Sequence, residues 1–303
     1  MAAALQARFN PAVTLLEAIQ RSTEFLAKKG VESPRLQTEQ LLAHLLQQPR
    51  MRLYLDFERT LSPAEVNSLR ELIRRRGQRE PLQHIIGSTS FCGFDIAVSR
   101  DVLVPRPETE LLAERGWTFL NQLCAANPQP PTALDLGAGS GCLAIALAAK
   151  CPAAEVYAVE ISRGALTLAR QNAARHGLAE RIRFLEGDGF APVPPGAQFD
   201  LIISNPPYIP SGDIATLAPE VRDYDPRQAL DGGADGLDYG RRLAAESPRF
   251  LKPLGRLMLE FGDGQAERLR RIFQEQKWIV EAIEEDYSHQ PRIMVARQLS
   301  SHG

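Results

Sequence analysis

Cysteine is scarce: Cys92, Cys124, Cys142 and Cys151 are the only four in 303 residues, and no two stand in a C-x-x-C pair. A cysteine metal site or redox pair commonly uses that spacing, so neither is expected, no metal is expected, and the thiols read as reduced in an intracellular protein. Long apolar runs are missing as well. No stretch reaches the ~18 uncharged apolar residues of a membrane helix. Met1 to Asn10 contain Arg8 but no apolar core, so a secretory signal is not expected. With no acidic residue before Glu17, an organellar presequence stays open, but a cytoplasmic protein without membrane association is the expectation. An excess of one charge is also absent: 35 Lys plus Arg stand against 37 Asp plus Glu, a formal net charge of -2. Proteins that hold nucleic acid by charge are strongly basic, so no direct nucleic-acid partner is expected.

Hydrophobic residues are plentiful at 44%, enough for a sizeable core, and the length suits two domains. Residues from about 11 to 82 read as helices. Val13, Leu15, Leu16, Ile19, Phe25 and Leu26 recur at helical spacing, and Leu36, Leu41, Leu42, Leu45 and Leu46 form a second amphipathic run. Ser62-Pro63-Ala64-Glu65 is a helix start, with Ser62 at N-cap, Pro63 at N1 and Glu65 at N3. That helix ends in Arg74, Arg75 and Arg76, where cations suit the C-terminus; a solvated helix end is preferred there to a docking surface.

Phe91, Phe94, Ile96 and Val98, then Val102 to Val104, predict two short strands, a hairpin linking two domains. Pro107 can open a helix near Glu108. From about residue 131, strands and helices alternate. Strands are predicted over Thr132–Leu136, Glu155–Glu160, Ile182–Leu185, Phe199–Ser204, Arg256–Phe261, Trp278–Ile283 and Ile293–Ala296. Helices are predicted over Gly141–Lys150 and Ser162–His176. This is the pattern of an α/β sheet covered on both faces, and the lack of a clear helix among the last strands points to an antiparallel end.

Two motifs carry chemistry. The first is Gly137-Ala138-Gly139-Ser140-Gly141, after one strand and before a helix. Glycine lets the backbone approach a ligand closely, and a helix N-terminus favours a negative group. Glu160 ends the next strand about 20 residues on, where a carboxylate can accept from ribose hydroxyls. Asp188, Gly189 and Phe190 follow the third strand; Asp188 can accept from an exocyclic adenine amine and Phe190 can pack on the ring, against a plain Asp-Gly turn. The second motif is Asn205-Pro206-Pro207-Tyr208, directly after the apolar strand Leu201-Ile202-Ile203-Ser204. Two prolines stiffen the loop and remove two N–H donors. The Asn205 side-chain oxygen and the Pro206 carbonyl can then hold both hydrogens of a planar NH2 group, with Tyr208 over its flat face.

The pair of motifs resembles class I methyltransferases that act on amide or exocyclic amino nitrogens. From about Glu39 to Arg297 the chain resembles, more closely, the bacterial release factor glutamine N5-methyltransferases. Besides Asn205–Tyr208, the likeness runs through Glu80-Pro81-Leu82, Val104-Pro105-Arg106-Pro107-Glu108-Thr109-Glu110, and Asp231-Gly232-Gly233-Ala234-Asp235-Gly236-Leu237. His289 stands where the family has a late glycine, and Gly189 where it often has a bulky apolar residue. The resemblance implies a seven-stranded Rossmann-like methyltransferase sheet, a small all-helical N-terminal domain and a β-hairpin linker: residues 1–87 for docking, 88–107 as linker, 108–303 for the cofactor. It implies S-adenosylmethionine as cofactor and, as protein partners and substrates, peptide release factors, methylated on the glutamine of their Gly-Gly-Gln loop. It implies that Phe91 helps wall the glutamine pocket with Tyr208, and a monomer is expected. A glutamine of a ribosomal protein, adenine N6 of a nucleic acid, and a non-catalytic binding module remain the alternatives.

Overall fold

The computed structural model describes residues 13–299, so the expectations placed on Met1 to Asn10 lie outside the described residues. The chain divides into two compact units: one runs to Gly87 and includes Pro219–Tyr224, the other comprises Ser88–Ala218 and the chain from Asp225 onward.

The smaller unit is helical: α1 (Leu15–Lys28), α2 (Pro34–Leu45), α3 (Pro63–Gly77) and the short α4 (Leu82–Ile86). Its core is Leu15, Ile19, Leu26, Leu41, Leu42, Leu53, Leu69 and Ile73. Phe25 and Leu36, though part of the predicted apolar runs, face outward at 39% and 42% exposure. The predicted start of α3 is a closed capping box: Glu65 N–H donates to Ser62 Oγ at 3.2 Å, and Ser62 N–H donates to Glu65 Oε2 at 2.7 Å. The arginine run is not a uniformly solvated end. Arg74 pairs outward with Glu71, but Arg76 is buried and donates to Gln37 Oε1, the Glu80 carbonyl and Glu220 Oε1. Arg79 adds two bonds to the same Glu220 carboxylate, at 2.6 and 2.7 Å. A buried guanidinium is tolerable only when it is paired and its N–H groups are met, and Glu220 supplies much of that. It is also why Pro219–Tyr224, remote in sequence, belongs to this unit.

In the larger unit, β1 (Ser88–Phe91) and β2 (Phe94–Ala97) form an antiparallel hairpin. The hairpin closes within these residues, whereas the sequence predicted a strand over Val102 to Val104. Val102 and Val104 are buried but belong to no ladder: the Val102 N–H donates to the Ser99 carbonyl in a turn, the Val104 N–H is held by the Asp225 carboxylate, and Pro105, with no N–H to give, follows. Helix α5 (Pro107–Ala126) then starts at its N-terminal proline.

Seven strands follow: β3 (Thr132–Leu136), β4 (Glu155–Glu160), β5 (Ile182–Glu186), β6 (Phe199–Ser204), β7 (Leu251–Glu260), β8 (Trp278–Glu285) and β9 (Pro291–Gln298). Their order is β5-β4-β3-β6-β7-β9-β8, with β3 to β7 parallel and β9 antiparallel to both neighbours. Alternation splits the core between the two faces. Leu201 and Ile203 pack with α5 and α6 (Cys142–Lys150) on one side. Ile202 packs with Leu243, Leu269, Phe273 and Trp278 on the other, under α8 (Asp238–Glu246) and α9 (Ala266–Glu275). Between α6 and α8 in the chain lies α7 (Arg163–Arg175). The sequence did not predict α9. Its buried stripe is Leu269 and Phe273 in a helix otherwise rich in charge, too narrow a signal to read.

Between β8 and β9 the turn is built on Asp286, whose carboxylate accepts from the amides of Ser288 and Gln290 and from Arg292. His289 adopts φ +60°, the left-handed conformation a glycine would favour, so the turn forms without one. No helix among the described residues is long and apolar enough to cross a membrane.

Candidate active site

The chain winds to one side of the sheet from β3 through β5 and to the other from β6 onward. Where the order reverses, the carboxyl ends of the strands open a crevice. A cleft of about 1240 Å³, its open mouth included, occupies that place, between the loops after β3, β4, β5 and β6.

The glycine loop forms one wall. Gly137 and Ala138 both donate their amides to the Val159 carbonyl, Gly139 donates to Glu160 Oε2 at 2.8 Å, and Gly141 donates to the Ala138 carbonyl. These amides therefore hold the loop's own shape. What the loop offers the cleft at Gly137 and Gly139 is bare backbone, since a Cβ on either would meet nothing within 4 Å. Gly141, expected beside the cofactor, does not line the cleft. It sits at φ +80° at the head of α6, and a Cβ there would lie 3.0 Å from the Ala169 Cβ of α7, so its role is close packing. Behind the loop, Asp135 is fully buried and accepts from the Ala144 amide at 3.0 Å, capping the first turn of α6. Burial pushes its carboxyl up to about 7.

Glu160 ends β4 with its carboxylate held at both oxygens, by Gly139 N–H and by Ser162 N–H at 2.8 Å. Ile161 beside it lines the cleft at 48% exposure. Asp188 and Gly189 line the cleft after β5, and Asp188 Oδ1 accepts from Arg242 at 2.6 Å. A Cβ on Gly189 would overlap the Arg242 guanidinium, so the missing side chain makes room for that cation in the wall. Phe190 was expected against an aromatic ligand ring. Instead it is buried, stacked on Phe250 with centroids 4.5 Å apart, in the apolar cluster that also holds Val193 and Leu243.

The opposite wall begins with Asn205, Pro206 and Pro207, directly after β6. Asn205 Nδ2 donates to Thr109 Oγ1 at 3.0 Å, and Thr109 donates to Glu260 Oε2 at 2.7 Å. Glu260 ends β7 and is 1% exposed. Burial lifts its carboxyl to about 7, partly countered by the Thr109 bond and the Arg292 charge. Among the described residues no donor meets Asn205 Oδ1 or the Pro206 carbonyl. Tyr208 does not line the cleft as expected. Its hydroxyl donates to Glu260 Oε1 at 3.3 Å, and burial with the adjacent carboxylate pushes its phenol far above the ordinary range. Phe91 does not line it either; it is 1% exposed in the core of the hairpin side, because β1 turns that ring inward. Arg106 closes this side and donates to buried Asp225 at 2.7 Å.

The sequence reading assigned no role to Asp135, Thr109, Arg242 or Glu260. A carboxylate ending an apolar strand, Leu257-Met258-Leu259-Glu260, was the one signal that could have pointed to Glu260. Among the described residues no cluster of three or more His, Cys, Asp or Glu could hold a metal.

Two family models match: the PrmC N-terminal domain over residues 17–87 and the methyltransferase small domain over residues 115–219. A Geobacter sulfurreducens protein named release factor glutamine methyltransferase is 46% identical over 261 residues, 86% of this chain and 88% of that relative. One of the same name from Rhodospirillum rubrum is 42% identical over 95% of this chain and 86% of its own length. Among solved structures, a Pyrococcus furiosus methyltransferase superposes at TM-score 0.50 with 19% identity over 73% of this chain and 98% of its own. The hMettl16 catalytic domain, in complex with the MAT2A 3'UTR hairpin 6, superposes at 0.54 with 15% identity over 75% and 82%. At those identities the structures share the fold alone; the sequence relatives carry the kinship, and the chain belongs to the release factor glutamine methyltransferase family.

Proposed function

We propose that the protein transfers a methyl group from S-adenosylmethionine to the side-chain amide nitrogen (N5) of the glutamine in the Gly-Gly-Gln loop of peptide release factors. The observation that carries this reading is the pair of open acceptors after β6, Asn205 Oδ1 and the Pro206 carbonyl, in a cleft whose other wall bears Glu160. An amide NH2 is planar with two hydrogens, and two acceptors hold it in one orientation. The amide nitrogen is a poor nucleophile, so fixing it at roughly 3–3.5 Å from the reacting carbon is a large part of the catalysis. As that nitrogen gains positive charge, both acceptors attract it more strongly, a gain specific to the transition state. The proton leaves afterwards, so no dedicated base is needed.

The residues of the facing wall suit the cofactor. Glu160 has one lone pair per oxygen still open for the two ribose hydroxyls. Bare glycine backbone at Gly137 and Gly139 leaves room for the chain of the amino acid moiety. Ile161 and the planar Arg242 cation would face the base, and Asp188 Oδ2, which Arg242 leaves open, would accept from its exocyclic amine. When bound, S-adenosylmethionine supplies an electrophilic sulfonium methyl.

Incubation with methyl-labelled S-adenosylmethionine and a release factor, beside the same factor with its loop glutamine changed to alanine, tests the reading. Label on the first factor only is the expected result. Label on neither overturns it and turns attention to ribosomal-protein glutamines and then to adenine N6.

A further inference from the structure

We propose that Glu260 is a positioning residue for the methyl acceptor: through Thr109 it sets which atom of the Asn205 amide faces the cleft. The inference rests on the reading of Asn205 as an acceptor for the substrate amide, and deepens it.

Hydrogen-bond direction fixes the orientation of the Asn205 amide. An ionised carboxylate only accepts, and a threonine hydroxyl has a single proton. With Glu260 ionised, the Thr109 proton goes to Oε2, as the 2.7 Å contact has it. The Thr109 oxygen can then only accept from Asn205, which must offer Nδ2–H. Its Oδ1 is left toward the cleft. Tyr208 donates to the other oxygen of Glu260 at 3.3 Å, a second contact that favours this placement of the carboxylate. If Glu260 is protonated, its O–H can donate to Thr109, and the Thr109 proton turns to Asn205 Oδ1. Asn205 then shows N–H groups to a substrate that is itself an N–H donor, and the acceptor pair is lost.

The groups that act most strongly on Glu260 sit on three parts of the fold. From α5 come Thr109 and the negative charge of Glu108, from the loop after β6 comes Tyr208, and from β9 comes the Arg292 cation. Burial is the largest influence and lifts the carboxyl to about 7, within the range where the proposed reversal can be seen. Above that pH Glu260 is ionised and Asn205 is aligned; below it the alignment relaxes.

The test is single-turnover methylation of a release factor by the full-length protein between about pH 6 and about pH 8.5. Wild type is compared with Glu260→Gln, Thr109→Val and Thr109→Ser, with cofactor titration and thermal melting alongside. Wild type should slow about fivefold to tenfold toward the acid end, the scale of one lost orienting hydrogen bond. Glu260→Gln, which can point either end at Thr109, and Thr109→Val, which breaks the link, should be slow throughout and lack the step, while still binding cofactor. Thr109→Ser should restore both rate and step relative to Thr109→Val. If Glu260→Gln does not fold, the valine and serine pair carries the test alone. A Glu260→Gln variant with wild-type rate and the same pH step, or a Thr109→Val variant as fast as Thr109→Ser, overturns the proposal. Absence of labelling by wild type overturns the reading beneath it and this inference with it.

Discussion

The two walls of the cleft are built in opposite ways. The glycine-loop wall is local: Glu160 is held by amides 21 and 2 residues away, and the loop's amides are used to fold the loop. The Asn205 wall is assembled from distant chain: Asn205 meets Thr109 across 96 residues, and Thr109 meets Glu260 across 151. A local wall needs only a strand, a tight turn and a helix, and its geometry follows from backbone bonding. The distant wall needs the whole sheet in register before its hydrogen bonds exist. We assign cofactor holding to the first and alignment of the acceptor to the second, so the same kind of substitution should have different consequences on the two sides.

The largest effect should separate them most clearly. Asn205→Ala is expected to lower single-turnover methylation by about 10²–10³-fold, the scale for removing one group that stabilises developing charge. Its cofactor affinity should stay near wild type by titration; equal losses in both would erase the distinction. On the other wall, Glu160→Ala removes a charged acceptor worth roughly 1.5–3 kcal/mol and should weaken cofactor binding about 10-fold to 150-fold. At saturating cofactor much of its turnover should return. Gly141→Ala probes the same wall without touching the cleft. Left-handed backbone and a Cβ pressed on Ala169 should cost about 1–3 kcal/mol, seen as a Tm lower by several degrees with cofactor affinity little changed. The smallest effect is Arg242→Ala, where one exposed cation over a planar base is worth about 0.5–1 kcal/mol, so affinity should fall only about twofold to fivefold. An unchanged affinity would remove Arg242 from the site.

The same contrast sets what was legible in the sequence. The strands Thr132–Leu136, Glu155–Glu160 and Phe199–Ser204 were readable to the residue, because each is a short apolar run between turn signals. The glycine loop, Glu160 and Asn205 were readable because each is a special residue at a strand end. Thr109 and Glu260 were not assigned, since nothing within a dozen residues of either says what it will meet. Phe190 and Phe91 show the converse: Phe190 follows an Asp-Gly pair and Phe91 was implied by the resemblance, yet the turn after β5 buries the first and β1 buries the second. Arg242 could not be read at all, because its place depends on the missing side chain at Gly189.

The central claim is that two acceptors hold the two hydrogens of a substrate amide. It is tested most directly by offering the protein a release factor whose loop glutamine is replaced by glutamate, beside the unaltered factor, and locating the methyl group by mass spectrometry. A carboxylate of the same length has no N–H to give. Methylation of the unaltered factor on the side-chain nitrogen, with the glutamate factor left unmodified, is the predicted result. Methylation of the glutamate factor at a comparable rate would contradict the account.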